Sequence, residues 1–284
     1  MSIYNNQKKG SLFVVATPIG NLGDITLRAI ECLKKIDLIA AEDTRHTGKL
    51  LTHLNIKKPL ISFHDHNEES RSFQIIDKLL EGQQVALVSD AGTPLISDPG
   101  YKLIQLCKEN KIQVIPIPGP SALIAALSVA GLPTDSFRFE GFLPRKKNMK
   151  DKVLQILKDE ICTLIFYESS HRIEETLIDL GDAMGPNRKI TLARELTKLH
   201  ESILSGDISS ILNELRENNE EKKGEFVIIV SGKVDDNDEK SNQLDTFLLI
   251  LLSELSVRQA ANLAAKLTGS NKNLAYERAL KLKN

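Results

Sequence analysis

The chain has 284 residues, 41% of them hydrophobic, enough for one large core or two ordinary ones. Its 37 Lys and Arg are balanced by 38 Asp and Glu, a formal net charge of -1 that excludes a global pull toward polyanions or acidic membranes, so any nucleic-acid contact has to be local. Cys32, Cys107 and Cys162 are widely spaced and odd in number, which suits reduced thiols and not a disulfide framework or a zinc site.

The first ten residues are polar and lack the apolar stretch of a secretory signal. The longest nearly apolar run, residues 122–132, falls short of the roughly 18 residues that span a bilayer. A cytoplasmic protein with no membrane segment is the expectation.

Short apolar runs at residues 12–16, 38–41, 60–63, 85–88 and 114–117 predict buried strands. Helix-period segments separate them: Leu27, Ile30 and Leu33, then Leu50 and Leu54, then Ile75, Ile76, Leu79 and Leu80, then Leu103, Ile104 and Cys107. Such alternation implies parallel β-α-β crossovers. A small-residue helix is expected over 122–130, followed by an irregular hinge over 133–150 that carries Arg145, Lys146 and Lys147.

Beyond the hinge, strands are predicted at 163–167, 190–193, 202–204 and 226–230, with helices at 172–183 and 208–216. The tight spacing between 190 and 204 predicts a hairpin and therefore a mixed sheet. The acidic run 235–240 reads as a linker, and three short helices follow at 244–255, 257–266 and 274–282. The fold class is thus α/β, with two α/β lobes (1–119 and 120–234) and a helix-turn-helix-like tail (241–284).

Three loops at predicted strand ends draw attention, because ligand crevices in open parallel sheets form at the carboxyl ends of strands. The first runs from Thr17 and Pro18 to Asp24; its plain alternative is a turn in which Asp24 or Thr26 caps a helix. The second, residues 89–100, crowds Pro94, Pro99 and Gly100 among small residues and carboxylates and is longer than the ~2–6 residues a connection needs. The third, Pro118-Gly119-Pro120-Ser121-Ala122, precedes a helix and reads otherwise as a helix start. None is a G-x-G-x-x-G dinucleotide fingerprint, and Thr47-Gly48-Lys49-Leu50 lacks the Gly and the hydroxyl residue of a phosphate loop.

Glu42, Asp43 and Arg45 close the second strand, setting two carboxylates beside a side chain shaped for a phosphate oxygen; their plain reading is a helix cap with a solvated arginine. His64-Asp65-His66 offers no evident third ligand, so no metal is expected.

These motifs in this order, TPIGNLGD from Thr17, AEDTRHT from Ala41, SDAGTPLISDPG from Ser89, PGPSAL from Pro118, FYESSHR from Phe166, ARELTKLHE from Ala193 and GEFVIIVSG from Gly224, resemble the tetrapyrrole methylase superfamily and its branch that modifies ribosomal RNA. The resemblance implies a homodimer with S-adenosyl-L-methionine held in a cleft between the two lobes. It implies as acceptor the ribose 2′-hydroxyl of a cytidine in the decoding region of 16S rRNA, as naked RNA or within the small ribosomal subunit.

Carried over by position, the cofactor would meet Pro18, Ala91, Gly92, Thr93, Ile96, Ser121, Ala122, Glu168, Ala193, Gly224 and Glu225. Corrin-making relatives have Gly-Asp-Pro where this chain has Gly92-Thr93-Pro94, which leaves Asp90 or Asp98 to supply the carboxylate.

A ribose hydroxyl is a weak acid, so a base is expected among Asp24, Glu42, Asp43 and His64. The working assignment gives deprotonation or orientation to Asp43 or Glu42, with Arg45 on a flanking phosphate. Arg145, Lys146, Lys147 and the mildly basic terminal helices would meet RNA phosphates. The rival readings are a corrin-precursor methyltransferase, which needs a large apolar trough, and a non-catalytic RNA-binding protein.

Overall fold

The computed structural model describes residues 9–218, 222–233 and 236–283. Its first sheet holds β1 (Ser11–Val15), β2 (Leu38–Ala41), β3 (Leu60–Ser62), β4 (Val85–Val88) and β5 (Gln113–Ile117), in the order β3-β2-β4-β1-β5. Every pairing in it is parallel. The connecting helices are α1 (Leu27–Lys35), α2 (Thr44–His53), α3 (Glu68–Leu80) and α4 (Tyr101–Glu109).

Both faces of this sheet are covered, which is why its central strands read as unbroken apolar runs. Leu12, Ala40, Val85 and Leu87 pack on Ile75, Leu79, Leu103 and Cys107 of α3 and α4. Val15, Ile39, Ala41, Ala86 and Val88 face the other way, onto Ala29, Leu33 and Leu51 of α1 and α2. Thr26 starts α1 by accepting the Ala29 amide, the capping role its sequence position suggested.

After α5 (Ala122–Val129) the chain builds a second sheet from β6 (Phe137–Phe142), β7 (Thr163–Ser169), β8 (Lys189–Arg194), β9 (Ser202–Asp207) and β10 (Glu225–Val230), ordered β6-β7-β10-β8-β9. Only β6 and β7 run parallel; β8 and β9 form the expected hairpin, so the sheet is mixed. The helices α6 (Lys147–Leu157), α7 (Ile173–Met184) and α8 (Ile208–Glu217) cover one face through Leu154, Leu177, Leu180, Ile211 and Leu215. On the other face, Ile165, Ala193, Val227 and Ile229 pack against Leu123, Ala126 and Leu127 of α5.

Two expectations need correction here. The region 133–150 is not an irregular hinge: it contains β6 and the first turn of α6. The alternation Phe137-Arg138-Phe139-Glu140 belongs to a half-exposed edge strand, and a bulge at Phe139/Gly141, with Gly141 at φ 67°, breaks the pattern before it becomes long enough to read. α6 is masked in the sequence by Lys150, a buried lysine on the face that an apolar residue would normally occupy. The acidic run 235–240 is likewise not a plain linker, because α9 (Asp236–Leu252) begins inside it; Asp235 lies outside the described residues.

α9, α10 (Val257–Thr268) and α11 (Lys272–Lys283) form a separate compact unit that begins at Gly232. Its core is built largely of alanine, Ala260, Ala261, Ala264, Ala265, Ala275 and Ala279, against Leu244 and Leu248. Small side chains let the three helices approach closely. Ser256 and Gln259 form a capping box at the start of α10, and Gly269 ends it in the left-handed conformation.

Candidate functional site

The loops that follow β1, β4 and β5 are fastened to one another. The Thr17 amide donates to the Gly92 carbonyl at 2.8 Å and the Gly92 amide returns a bond to the Thr17 carbonyl at 3.1 Å. The Thr17 hydroxyl donates to the Ser89 carbonyl, and the Thr93 hydroxyl to that of Pro120. Gly92 takes φ 82°, in the left-handed region that L side chains rarely adopt, which is the backbone reason for glycine at this crossing.

Across from these loops lie the ends of β7, β8 and β10. Together they enclose a cavity of ≈ 340 Å³, inside the ~300–1,000 Å³ range of small-molecule sites. The first sheet contributes Ile19, Glu42, Asp90, Ala91, Gly92, Thr93, Ile96 and Asp98 to its wall, and the helix start after β5 contributes Ser121 and Ala122. The second sheet and its loops add Phe142, Tyr167, Glu168, Ala193, Leu196, Lys198, Glu225 and Val227.

The wall's charged groups are mostly carboxylates, Glu42, Asp90, Asp98, Glu168 and Glu225, against Lys198 as the one cation among the described lining residues. Glu42 accepts the Asp90 amide at 3.2 Å while Asp90 accepts the Asp43 amide at 3.0 Å, a reciprocal clasp between the ends of β2 and β4. Burial, reinforced by the Asp90 and Asp65 charges, raises the Glu42 carboxyl above its ordinary range, although the Asp90 amide opposes it. Burial also pushes Asp98 up to about 6, with Glu42, Asp90 and Asp65 adding repulsion and the Ser89 hydroxyl acting in the other direction. Glu168, 2% exposed, accepts the Ser169 amide and the Thr176 hydroxyl and lies 3.5 Å from the Arg172 guanidinium. Lys198 bridges Glu195 and Glu225 at 2.9 and 2.7 Å.

This arrangement suits a ligand with an apolar face, hydroxyls to donate and positive charge, and it repels a polyphosphate. Residues 11–212 match the family described as Tetrapyrrole (Corrin/Porphyrin) Methylases, and residues 238–283 match the RsmI C-terminal HTH domain. The chain is 49% identical over 276 residues to the ribosomal RNA small subunit methyltransferase I of Escherichia coli O157:H7, covering 97% of this chain and 96% of that protein. It is 50% identical over 268 residues to the protein of that name from Vibrio cholerae, covering 94% and 93%. The chain belongs to the ribosomal RNA small subunit methyltransferase I family of tetrapyrrole methylases.

Solved structures share the fold at lower identity. The methyltransferase CobJ superposes with a TM-score of 0.58 at 19% identity, over 80% of this chain and 97% of that one. A uroporphyrin-III C-methyltransferase from Thermus thermophilus, complexed with S-adenyl homocysteine, gives 0.54 at 16% identity over 78% and 97%.

In this member of the methyltransferase I family, the cavity gathers Asp90, Ala91, Gly92, Thr93, Ile96, Ser121, Ala122, Glu168, Ala193 and Glu225 from the residues expected to meet a cofactor, and Glu42 from those expected to act on the acceptor. Ser121 stands at the N-cap of α5 but makes no side-chain capping bond. Pro18 is not in the wall, though its neighbour Ile19 is. Gly224 also stands outside it: at φ 111° it leaves room for Glu195, whose side chain fills the space an added Cβ would take.

Asp43 and Arg45 do not line the cavity. Asp43 caps α2 by accepting the Arg45 amide at 2.8 Å, and its other oxygen meets the Arg45 guanidinium at 2.7 Å. That partner holds the Asp43 carboxyl well below the usual carboxylate range, which makes it a poor proton acceptor. Arg145, Lys146 and Lys147 are exposed, but Lys147 is engaged with Asp179 at 2.7 Å.

Tyr167, Phe142 and Lys198 are wall residues that motif reading passed over. Tyr167 could have been found from strand alternation, since Phe166 points into the helix-covered core and its neighbour therefore points to the opposite face. Phe142 belongs to the strand the sequence concealed. Lys198 depends on a loop with Glu195 at φ 48° and Thr197 at φ 67°, which no periodicity announces.

Proposed function

We propose that this chain transfers a methyl group from S-adenosyl-L-methionine to the ribose 2′-hydroxyl of a cytidine in the decoding region of 16S rRNA, acting as a cytoplasmic homodimer. The observation that carries this reading is the cavity itself, in which both sheets contribute small and apolar residues together with carboxylates. Ile19, Ala122, Ala193 and Val227 offer faces for a purine, while Asp90, Glu168 and Glu225 suit ribose hydroxyls, an ammonium and a sulfonium. A donor of this class supplies a methyl group already activated by its positive sulfur. The chain's own work is therefore to bind, align the acceptor oxygen and exclude water, which can supply several kcal/mol.

Kinship with ribosomal RNA small subunit methyltransferase I proteins supports an rRNA acceptor. The wall also discriminates against a nucleoside polyphosphate, whose charges would meet Glu42, Asp90 and Asp98. For the RNA strand, Arg145 and Lys146 are exposed cations beyond β6.

The test is to incubate the protein and methyl-labelled donor with small ribosomal subunits, and separately with naked 16S rRNA, both prepared without their modifications. The expected result is label on one cytidine ribose, with a dimer in sedimentation. Calorimetry showing no donor uptake, or label on a base instead of a ribose, overturns the reading.

A further inference from the structure

The carboxylates of the cavity are not equivalent. Glu42 and Asp90 are occupied by each other's loop amides, Glu168 by Ser169, Thr176 and Arg172, and Glu225 by Lys198. Asp98 meets the cavity with the Ser89 hydroxyl as its one hydrogen-bond donor among the described residues.

The backbone that presents it is held in a costly shape. Leu95 at φ 74° and Ser97 at φ 68° are left-handed without being glycine, at roughly 1–2 kcal/mol each. Such conformations persist where surrounding structure over-determines them. Here Glu68 accepts both the Gly100 and Lys102 amides at 3.0 Å, tying the end of the loop to α3. Gly100 is pressed against Leu87 and Leu95, so an added Cβ would lie 2.9 Å from Leu87 Cδ2. Ser97 abuts the bulge of β6, its hydroxyl 3.2 Å from where a Gly141 Cβ would stand. A half-buried carboxylate is thus fixed in the wall between the two sheets, with little freedom to turn away.

We propose that Asp98 is the proton acceptor of the methyl transfer. As the acceptor oxygen bonds to the methyl carbon and the donor's carbon–sulfur bond breaks, the hydroxyl proton passes to an Asp98 carboxylate oxygen. The products are a methyl ether, a neutral thioether and a protonated Asp98. This step rests on the reading above of a hydroxyl acceptor and a sulfonium donor.

The surroundings tune the group for that work. Glu42 at the end of β2, Asp90 at the end of β4 and Asp65 after β3 all repel its negative form, and the Tyr167 phenol of β7 lies within its field. Poised at about 6, Asp98 is ionised at neutral pH yet more basic than an ordinary carboxylate.

The experiment compares wild type with Asp98→Asn in single-turnover methylation between pH 5 and 8, with donor binding by calorimetry and RNA binding measured alongside. Wild-type rate is expected to rise about tenfold per pH unit below about 6 and then level off. Asp98→Asn should bind both partners within about threefold while losing roughly 10²–10⁴ in rate and the low-pH limb. NMR of the labelled carboxylates should show one signal titrating near that value in wild type and absent from the variant.

Wild-type turnover in the variant overturns the proposal. So does loss of donor binding with an unchanged pH profile, which would make Asp98 a binding residue. A wild-type protein that takes up no donor, or labels no ribose, instead overturns the function on which the proposal stands. Melting curves of the variant report folding independently.

Discussion

The Tyr167 hydroxyl accepts the Leu123 amide at 3.1 Å, fastening the end of β7 to the first turn of α5 at the cavity wall. Leu123 is the second residue of α5, and Ser121 supplies no capping bond there, so the tyrosine serves an orphan donor of the helix. Tyr167→Phe should cost about 1–2 kcal/mol by stranding that amide, lowering Tm by roughly 2–8 °C. Because the ring stays while the polar link goes, donor affinity should fall only several-fold. Thermal melts and calorimetry on the same preparation check both; an unchanged Tm would mean that water replaces the phenol.

The first sheet was legible because it is buried on both faces. Runs such as Leu38–Ala41 and Val85–Val88 have nothing but apolar residues to show, and their sequence boundaries agree with the structure. The site was legible for a related reason: Gly92, Thr93, Ser121 and Ala122 sit at strand ends, where small residues and glycines stand out against apolar runs. β6 escaped because an edge strand with a bulge has one half-buried face and a broken alternation. The unequal standing of Asp43 and Asp98 could not be read at all. Both are aspartates beside loop residues, and what separates them is the Arg45 contact of one and the crowding of negative charge around the other.

Lys150 illustrates a sequence signal that misleads for a physical reason. Its side chain is 1% exposed and its Nζ lies 2.5 Å from Asp179 Oδ2, an ion contact without hydrogen-bond alignment, and 2.8 Å from Glu175. Lys150→Met removes a buried charge from a site that still holds Asp179, which Lys147 continues to neutralise. The expected loss is near the lower end of ~3–5 kcal/mol, with most of it recovered in Lys150→Met/Asp179→Leu. Urea unfolding of the three proteins measures it, and equal losses in the single and double variants would show that packing and not charge sets the cost.

Asp98 should make the protein less stable at neutral pH. Its folded-state value of about 6 stands above the ordinary 3.8, so the folded state holds the proton more tightly. The contribution of Asp98 to stability is therefore greatest below about 4, declines as pH rises to about 6, and is flat above. Asp98→Asn is expected to gain about 1 kcal/mol at pH 7 after allowance for solvent screening, a rise of roughly 2–4 °C in Tm. The gain should disappear as pH approaches 4. A variant whose advantage is the same at both pH values would place the effect in loop packing and not in ionisation.

The basic stretch before α6 divides into two kinds of cation. Arg145 and Lys146 are exposed and have no ion pair among the described residues, whereas Lys147 bonds Asp179, which is 3% exposed on its side chain. On the proposed RNA function, Arg145→Ala and Lys146→Ala should each weaken binding and reduce the slope of log K against log salt by about 0.7–0.9, the release of one counterion. Lys147→Ala should leave that slope nearly intact and lower Tm instead, because its charge is already spent on Asp179. Salt titrations of RNA binding, run with melting curves for the three variants, separate the two roles. A Lys147→Ala protein with wild-type Tm and a reduced slope would place all three cations on the RNA strand.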